Sequence, residues 1–280
     1  FLVYFDQYRC GYWQLGLRGG KNAEVKVACA ESLFCADYGM DKGHRAEVFD
    51  KYFRGITDTF LLDGNEHALM PHFWRCGNFL ELVVENGAVE ELILFRMDWE
   101  NSLYHVQQEA GCRCDDDRLN RLMPVCFHTF QMIAHDSFYD CPYYEQLPYT
   151  GDGRIELLTA YSISSDNIIP HKMLYMFNES TKVNGLCQCR TPTPQMPCYI
   201  PSFSLWFVGM VYDHARWKKD PAFIRTMLPQ IRSTLEYFLS ICRRNDGVYI
   251  MTDEYWNFLD WVPEWGEIGG WWGMPPRQNN

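Results

Sequence analysis

The chain has no run of about eighteen apolar residues, so a helical membrane span is excluded. It is also short of positive charge, with 25 Lys and Arg against 36 Asp and Glu and a formal net charge of -11. Nucleic acid is recognised by clustered cations that displace counterions, and this balance argues against such a partner. Despite twelve cysteines, no C-x-x-C pair occurs. Cys112 and Cys114 form one C-x-C, and Cys187 and Cys189 form another. Neither is the spacing of a zinc finger or ribbon. Cys29, Cys126 and Cys242 sit in apolar periodic segments and read as small buried hydrophobes. Free thiols are therefore expected, with no metal and no cofactor; a site built from Cys187, Cys189 and Cys198 is the alternative. The sequence opens at Phe1-Leu2-Val3 with no methionine and no signal peptide. We expect a piece of a longer protein, its compartment undetermined and a periplasmic or secreted location possible.

What is present is aromatic and acidic. Phe, Trp and Tyr make up 16% of the 280 residues, with ten tryptophans, a composition suited to a neutral polyol ligand. The length allows one large domain or two modest ones. Up to about Trp99 the sequence reads as strands. Trp13–Leu17 and Val25–Cys29 alternate, while Phe79–Val84 and Val89–Phe95 flank Glu85-Asn86-Gly87 as a hairpin would. Near Asp115-Asp116-Asp117 the period changes. Three acids suit a helix start, and Leu119, Leu122, Met123, Cys126, Phe127 and Phe130 then share one helical face.

Further helices follow. One runs past Asp152 with Ile155, Leu158 and Tyr161, and the next, capped by Asp166, carries Ile169, Met173, Met176 and Phe177. A loop rich in Pro and Cys occupies about Lys182 to Ile200. Two helices then begin with proline, at Pro201 and Pro221, the second ending at Asn245-Asp246-Gly247. His128 and His135 are expected to be structural, since nothing pairs them with a nucleophile.

The stretch Asp140 to Asp152 stands apart. It holds three carboxylates (Asp140, Glu145, Asp152) among Tyr143, Tyr144 and Tyr149, with Pro142 and Pro148 disfavouring a plain helix. Composition alone allows a solvated acidic turn, and Asp152 could equally cap a helix beginning at Gly153. It also allows a sugar-cleaving site, in which an acid protonates the departing oxygen, further carboxylates hold hydroxyls, and rings stack on the sugar.

The wording of this stretch resembles the acid motif of the bacterial alpha-L-rhamnosidases of glycoside hydrolase family 78. In that family Asp-Cys-Pro leads to a catalytic glutamate and then a Gly-Asp pair. Here Asp140-Cys141-Pro142 leads to Glu145 and Gly151-Asp152. Tyr149 stands where the family often has tryptophan, the interval is one residue shorter than the commoner version, and Tyr144 lies nearest the usual arginine. Tyr199–Trp206, Gly209–Asp213 and the aromatic run Trp256–Trp261 resemble later blocks. Glu31 and His72–Arg75 resemble parts of the preceding sandwich, where packing and sheet-edge roles are expected.

The resemblance implies a β-sandwich-like domain and linker over 1–105. It further implies the N-terminal part of an (α/α)6 barrel, a six-hairpin toroid of twelve helices, over 106–280, with the rest of the barrel needed. It implies Glu145 as general acid, its pKa raised by the tyrosines and by neighbouring Asp140 and Asp152. Asp140 and Asp152 would hold hydroxyls of the bound rhamnose. Tyr149 belongs to the same sugar-binding set, and Trp206 and Trp256 are candidate stacking platforms. The partner would be a rhamnose-containing oligosaccharide or glycoside. Inversion needs a second carboxylate, roughly 6.5–9.5 Å away, to activate water. In the family that residue comes from beyond the matching stretch; Asp253, Glu254, Asp260, Glu264 and Glu267 are the carboxylates within reach, none marked by a motif. The expectation is an inverting alpha-L-rhamnosidase, inactive as this piece alone. The rivals are another six-hairpin glycosidase and a non-catalytic carbohydrate-binding relative.

Overall fold

The computed structural model describes residues 1–85, 91–182, 184–250, 252–267 and 273–275. They fall into two compact units, Phe1–Tyr104 with Pro142–Tyr144, and His105–Cys141 with Glu145–Asn280. Among them no helix is long and apolar enough to cross a membrane.

The first unit is built on β1 (Leu2–Gly19), β2 (Glu24–Ala30), β3 (Ile56–Leu61), β4 (Glu66–Leu69), β5 (Arg75–Glu85) and β6 (Leu92–Asn101). Alternation decides the buried face. Trp13, Leu15 and Leu17 of β1, Val25, Val27 and Cys29 of β2, and Leu80 and Leu82 of β5 form one core cluster. The six strands form a single antiparallel sheet in the order β3-β2-β5-β1-β4, with β6 also paired to β1. Where two facing sheets are expected, the long β1 instead meets three partners along its length, its register shifting between Tyr4 and Arg9 and again between Gly16 and Leu17. Gly11 permits the β1–β6 contact, because a Cβ there would collide with the Glu100 carbonyl.

The hairpin expected across Asn86-Gly87 does not form among the described residues. β5 lies between β2 and β1, and β6 pairs with β1, so the two runs share a neighbour rather than each other. Residues 86–90, including the turn itself and Val89, lie outside the described set. A turn signal sets where a chain reverses, whereas the long β1 offers more pairing length than a local partner. Arg75 makes a two-point ion pair with Asp58, at 2.6 and 3.0 Å. Glu31 accepts from Tyr8 Oη at 3.1 Å. Tyr143 is buried in this unit and donates its hydroxyl to Cys29 O at 3.0 Å, while Lys42 Nζ donates to Tyr144 Oη at 2.9 Å.

The second unit carries α1 (Asp117–Ile133), α2 (Thr150–Ile163), α3 (Ile168–Glu179), α4 (Pro201–Lys218), α5 (Pro221–Arg244) and the short α6 (Pro263–Glu267). Asp116 caps α1 by accepting from Arg118 N, Asp166 accepts from Ile168 N ahead of α3, and Asp220 caps α5 by accepting from Phe223 N. Pro201 and Pro221 each open a helix. Helix α2 packs on α3 and α4, and α4 on α5. Ile169, Met173, Leu174 and Phe177 face inward from α3.

Three expectations fail here. The apolar face of α1 is largely open: Leu119 and Leu122 are 53% and 52% exposed, and Phe130 is the one member of the set that is buried. Cys126 is exposed and Cys242 half-buried, so of the three cysteines expected in cores only Cys29 is sealed. Helix α2 begins at Thr150 rather than beyond Asp152, and its buried face is Gly153, Glu156, Leu157, Ala160 and Tyr161, leaving Ile155 outside. Periodicity marks an amphipathic face but not what covers it.

Candidate active site

The start of α2 is held from two sides. Thr150 N donates to Cys189 O at 2.8 Å, and Thr150 Oγ1 donates to Gln188 O at 2.8 Å. Tyr149 pairs with Arg190 as an isolated bridge. Gly151 has no Cβ because the Phe203 ring occupies that space. Asp152 therefore sits inside the first turn of α2, not at its cap, where the helix dipole favours a carboxylate. Upstream, the loop closes on itself: Asp140 N donates to Leu147 O at 3.2 Å, Gln146 N to Cys141 O at 3.0 Å, and Glu145 N to Cys141 Sγ at 3.2 Å. Gln146 takes a left-handed φ of 53° to make that turn.

Around this frame lies a cleft of about 540 Å³ whose lining includes Asp140, Glu145, Tyr149, Asp152, Trp206 and Trp256. All six residues singled out from the sequence thus share one cavity. Phe203, Trp261 and Asp260 also line it. Trp256 packs on Phe258, ring centres 5.1 Å apart, and Trp206 is 42% exposed with the Arg154 guanidinium 5.0 Å from its ring centre. Arg154 is fixed by Asp213 at 2.6 Å. Trp271 and Trp272 lie outside the described residues.

The electrostatics of the cleft are those of crowded acids. Burial pushes the Asp140 carboxyl up to about 7, helped by its hydrogen bond to Glu145 and by the charges of Glu145 and Asp152. Asp152 is held above the usual carboxylate range, first by the protein around it and then by the Glu145 and Asp260 charges. Tyr149 is raised to about 12, chiefly by burial; its hydroxyl donates to Glu145 and accepts from Arg190 Nη1 at 3.1 Å. Glu145 itself is exposed. The tyrosine cover expected over it is absent in one respect: Tyr143 and Tyr144 make their polar contacts within the first unit, leaving Tyr149 as the ring that engages it. The oxygens of Asp140 and Glu145 and the sulfur of Cys141 lie within 4.8 Å of one another. They are the residues here that could hold a cation.

One residue escaped the sequence reading. Glu156, one turn beyond Asp152, is 8% exposed, and burial together with the Asp152 and Asp140 charges pushes it up to about 8. Its Oε2 has no hydrogen-bond partner among the described residues. The signal was the i to i+4 spacing from Asp152 on a helix whose inward face the apolar pattern misplaced.

Comparison with protein-family models matches residues 107–271 to the bacterial alpha-L-rhamnosidase 6 hairpin glycosidase domain. Among solved structures, the fold is similar to a glycoside hydrolase family 78 rhamnosidase of Bacillus sp. GL1, with TM-score 0.78 and 22% identity over 94% of this chain and 26% of that one. It is similar to a rhamnosidase from Klebsiella oxytoca with rhamnose bound, with TM-score 0.76 and 19% identity over 93% of this chain and 52% of that one. It is also similar to Streptomyces avermitilis alpha-L-rhamnosidase complexed with L-rhamnose, with TM-score 0.61 and 17% identity over 85% of this chain and 23% of that one. The chain thus spans from about a quarter to about half of the structures it matches. Comparison with curated protein sequences gives no match.

Proposed function

Because this chain belongs to the bacterial alpha-L-rhamnosidase six-hairpin glycosidase family, we propose that its parent protein removes terminal alpha-L-rhamnose from glycosides or oligosaccharides with inversion. The first unit then corresponds to the sandwich that precedes the barrel, and the second to the N-terminal part of the (α/α)6 barrel. Glu145 is the general acid: it is open to solvent on the cleft wall, it accepts from Tyr149, and Asp140 is its hydrogen-bonded neighbour. Asp140, raised to about 7, holds a proton beside Glu145 below neutral pH. Asp140 and Asp152 hold sugar hydroxyls, Tyr149 positions the acid beside the sugar, and Trp206 and Trp256 offer ring faces to its C–H surface.

The observation that carries this reading is the convergence of Asp140, Glu145 and Asp152 with the rings of Tyr149, Trp206 and Trp256 on one cleft. The water-activating carboxylate lies outside these 280 residues, as the resemblance implies, and the piece alone is inactive. Asp260, on the cleft wall, is the rival base within the chain.

The test is hydrolysis of p-nitrophenyl alpha-L-rhamnoside by the parent protein and by residues 1–280, with the first-formed anomer followed by proton NMR. Release of beta-L-rhamnose by the parent alone is expected. Retained configuration would overturn inversion, and turnover by the 280-residue piece at the parent's rate would overturn the external base. Rhamnose binding without turnover in the parent would favour the carbohydrate-binding relative.

A further inference from the structure

The loop behind the cleft carries a feature that glycoside hydrolysis does not use. Cys189 and Cys198 face each other across a backbone hydrogen bond, Cys189 N to Cys198 O at 2.9 Å. A disulfide needs Cα atoms about 4.4–6.8 Å apart, a proximity that this backbone bond favours. Both are free thiols, and Cys198 packs against the buried cluster that contains Cys189. Cys187, the third cysteine of the loop, is engaged elsewhere, with its sulfur 3.5 Å from Ser204 Oγ.

The two thiols are unequal. Cys189 is fully buried, in a cluster with Ile200 and Phe203 that Tyr149, Cys198 and Trp256 pack against. Cys198 is half-exposed. The hydrogen bond from Cys189 draws the Cys198 thiol down to about 7, and the Arg190 charge adds to this against the opposing effect of burial, while Cys189 is raised. One is thus an accessible nucleophile and the other a sheltered resolving thiol.

We propose that Cys189 and Cys198 are a dithiol–disulfide modification site, oxidised by a small disulfide and fixing the Arg190 loop against Tyr149. Cys198 loses its proton to solvent, and its thiolate attacks one sulfur of the donor RS–SR. A mixed disulfide forms and RS⁻ leaves, taking up a proton. Cys189 then loses its proton and attacks Cys198 Sγ, breaking the mixed disulfide and releasing the second RS⁻, which is protonated in turn. Two electrons pass from the cysteine pair to the donor, which ends as two thiols.

The consequence for the site follows from connectivity. The cross-link closes the segment Cys189 to Cys198, which contains Arg190, the donor to Tyr149 Oη, and Tyr149 is hydrogen-bonded to Glu145. The cross-link does not depend on the rhamnosidase reading.

The experiment treats the reduced full-length protein with oxidised glutathione, blocks remaining thiols with N-ethylmaleimide, and maps the digest by mass spectrometry. Trypsin cuts after Arg190 and so places the two cysteines on separate peptides. A peptide joining Cys189 to Cys198, lighter by two hydrogens than its parts and released by dithiothreitol, is expected. Cys198→Ser should abolish it, and Cys187→Ser should leave it intact. Maleimide on both residues, a glutathione adduct stalled on Cys198, or a link formed through Cys187 would each overturn the proposal. Brief trypsin treatment of the native protein should cut after Arg190 about fivefold more slowly once oxidised, since cleavage tracks the open population. An unchanged rate would overturn the restraint on the loop.

Discussion

The two units handle their acidic residues in opposite ways. In the sheet unit, carboxylates have cations: Asp58 is paired with Arg75, Glu31 with Lys42, and Glu24 with Lys26. In the cleft of the helical unit, Asp140, Glu145, Asp152 and Asp260 have one another, with Glu156 one turn along α2 from Asp152, and no ion pair is found for any of the five among the described residues. A carboxylate beside a cation gives up its proton easily, and one beside other carboxylates keeps it. The first arrangement holds a sheet together. The second holds protons on Asp140 and Glu156 near neutral pH, and it costs stability to do so.

The largest expected effect tests whether stored protons serve chemistry. In the parent protein, Glu145→Gln should lower kcat for an alkyl rhamnoside by about a thousandfold. For p-nitrophenyl rhamnoside, whose leaving group departs without a proton, the loss should be much smaller. Equal losses on both substrates would deny Glu145 the acid role. Asp140→Asn should cost about a hundredfold. The wild-type rate should fall as pH rises through about 7, where Asp140 loses its proton, and that limb should vanish in the variant. Asp260→Asn should change kcat by less than about tenfold if the base lies elsewhere; a drop of about a thousandfold would make Asp260 the base.

Stability sharpens the same contrast. Glu156 has its folded pKa raised to about 8 from the ordinary carboxylate value, so the folded chain binds more protons than the unfolded one in between. Its contribution is therefore fully present below about pH 4 and is lost as pH rises through about 8. Glu156→Gln should flatten the pH dependence of unfolding, with a gain of about 5 kcal/mol at pH 9. An unchanged slope in chemical denaturation would mean that Glu156 ionises freely. In the sheet unit the sign reverses: Asp58→Ala strands the half-buried Arg75 charge and should destabilise that unit by about 2 kcal/mol with kcat unchanged.

How much of this was legible in the sequence follows from the range of the forces involved. The acid loop was legible because Pro142, Pro148 and Gly151 act locally, and the Pro201 and Pro221 helix starts because the fixed proline φ needs no tertiary contact. The pairing of β5 and β6 was not, because the partner that displaced the hairpin is β1, remote in sequence. Nor was the exposure of Leu119 and Leu122, since amphipathicity is a property of one helix and burial of two. Asp140, Glu145, Tyr149, Asp152, Trp206 and Trp256 meet in one cleft, but the raised acid was expected at Glu145 and the raising of Asp140 was not foreseen. Raising Asp140 takes burial and the approach of Glu145 and Asp152, which spacing does not encode.

The smallest effect expected concerns the rings. Trp206 presents one face while Arg154, anchored by Asp213, lies 5.0 Å from its centre. The indole is thus held in place, and on the proposed reading it would contribute to sugar binding in ground and transition states alike. Uniform binding of that kind raises KM when lost and leaves kcat alone. Trp206→Ala should therefore raise KM for an aryl rhamnoside about tenfold at constant kcat, and Trp206→Phe, which keeps an apolar face, about twofold. A fall in kcat with KM unchanged would place Trp206 among the groups that act on the transition state, and the division between acids that do chemistry and rings that hold the sugar would no longer stand.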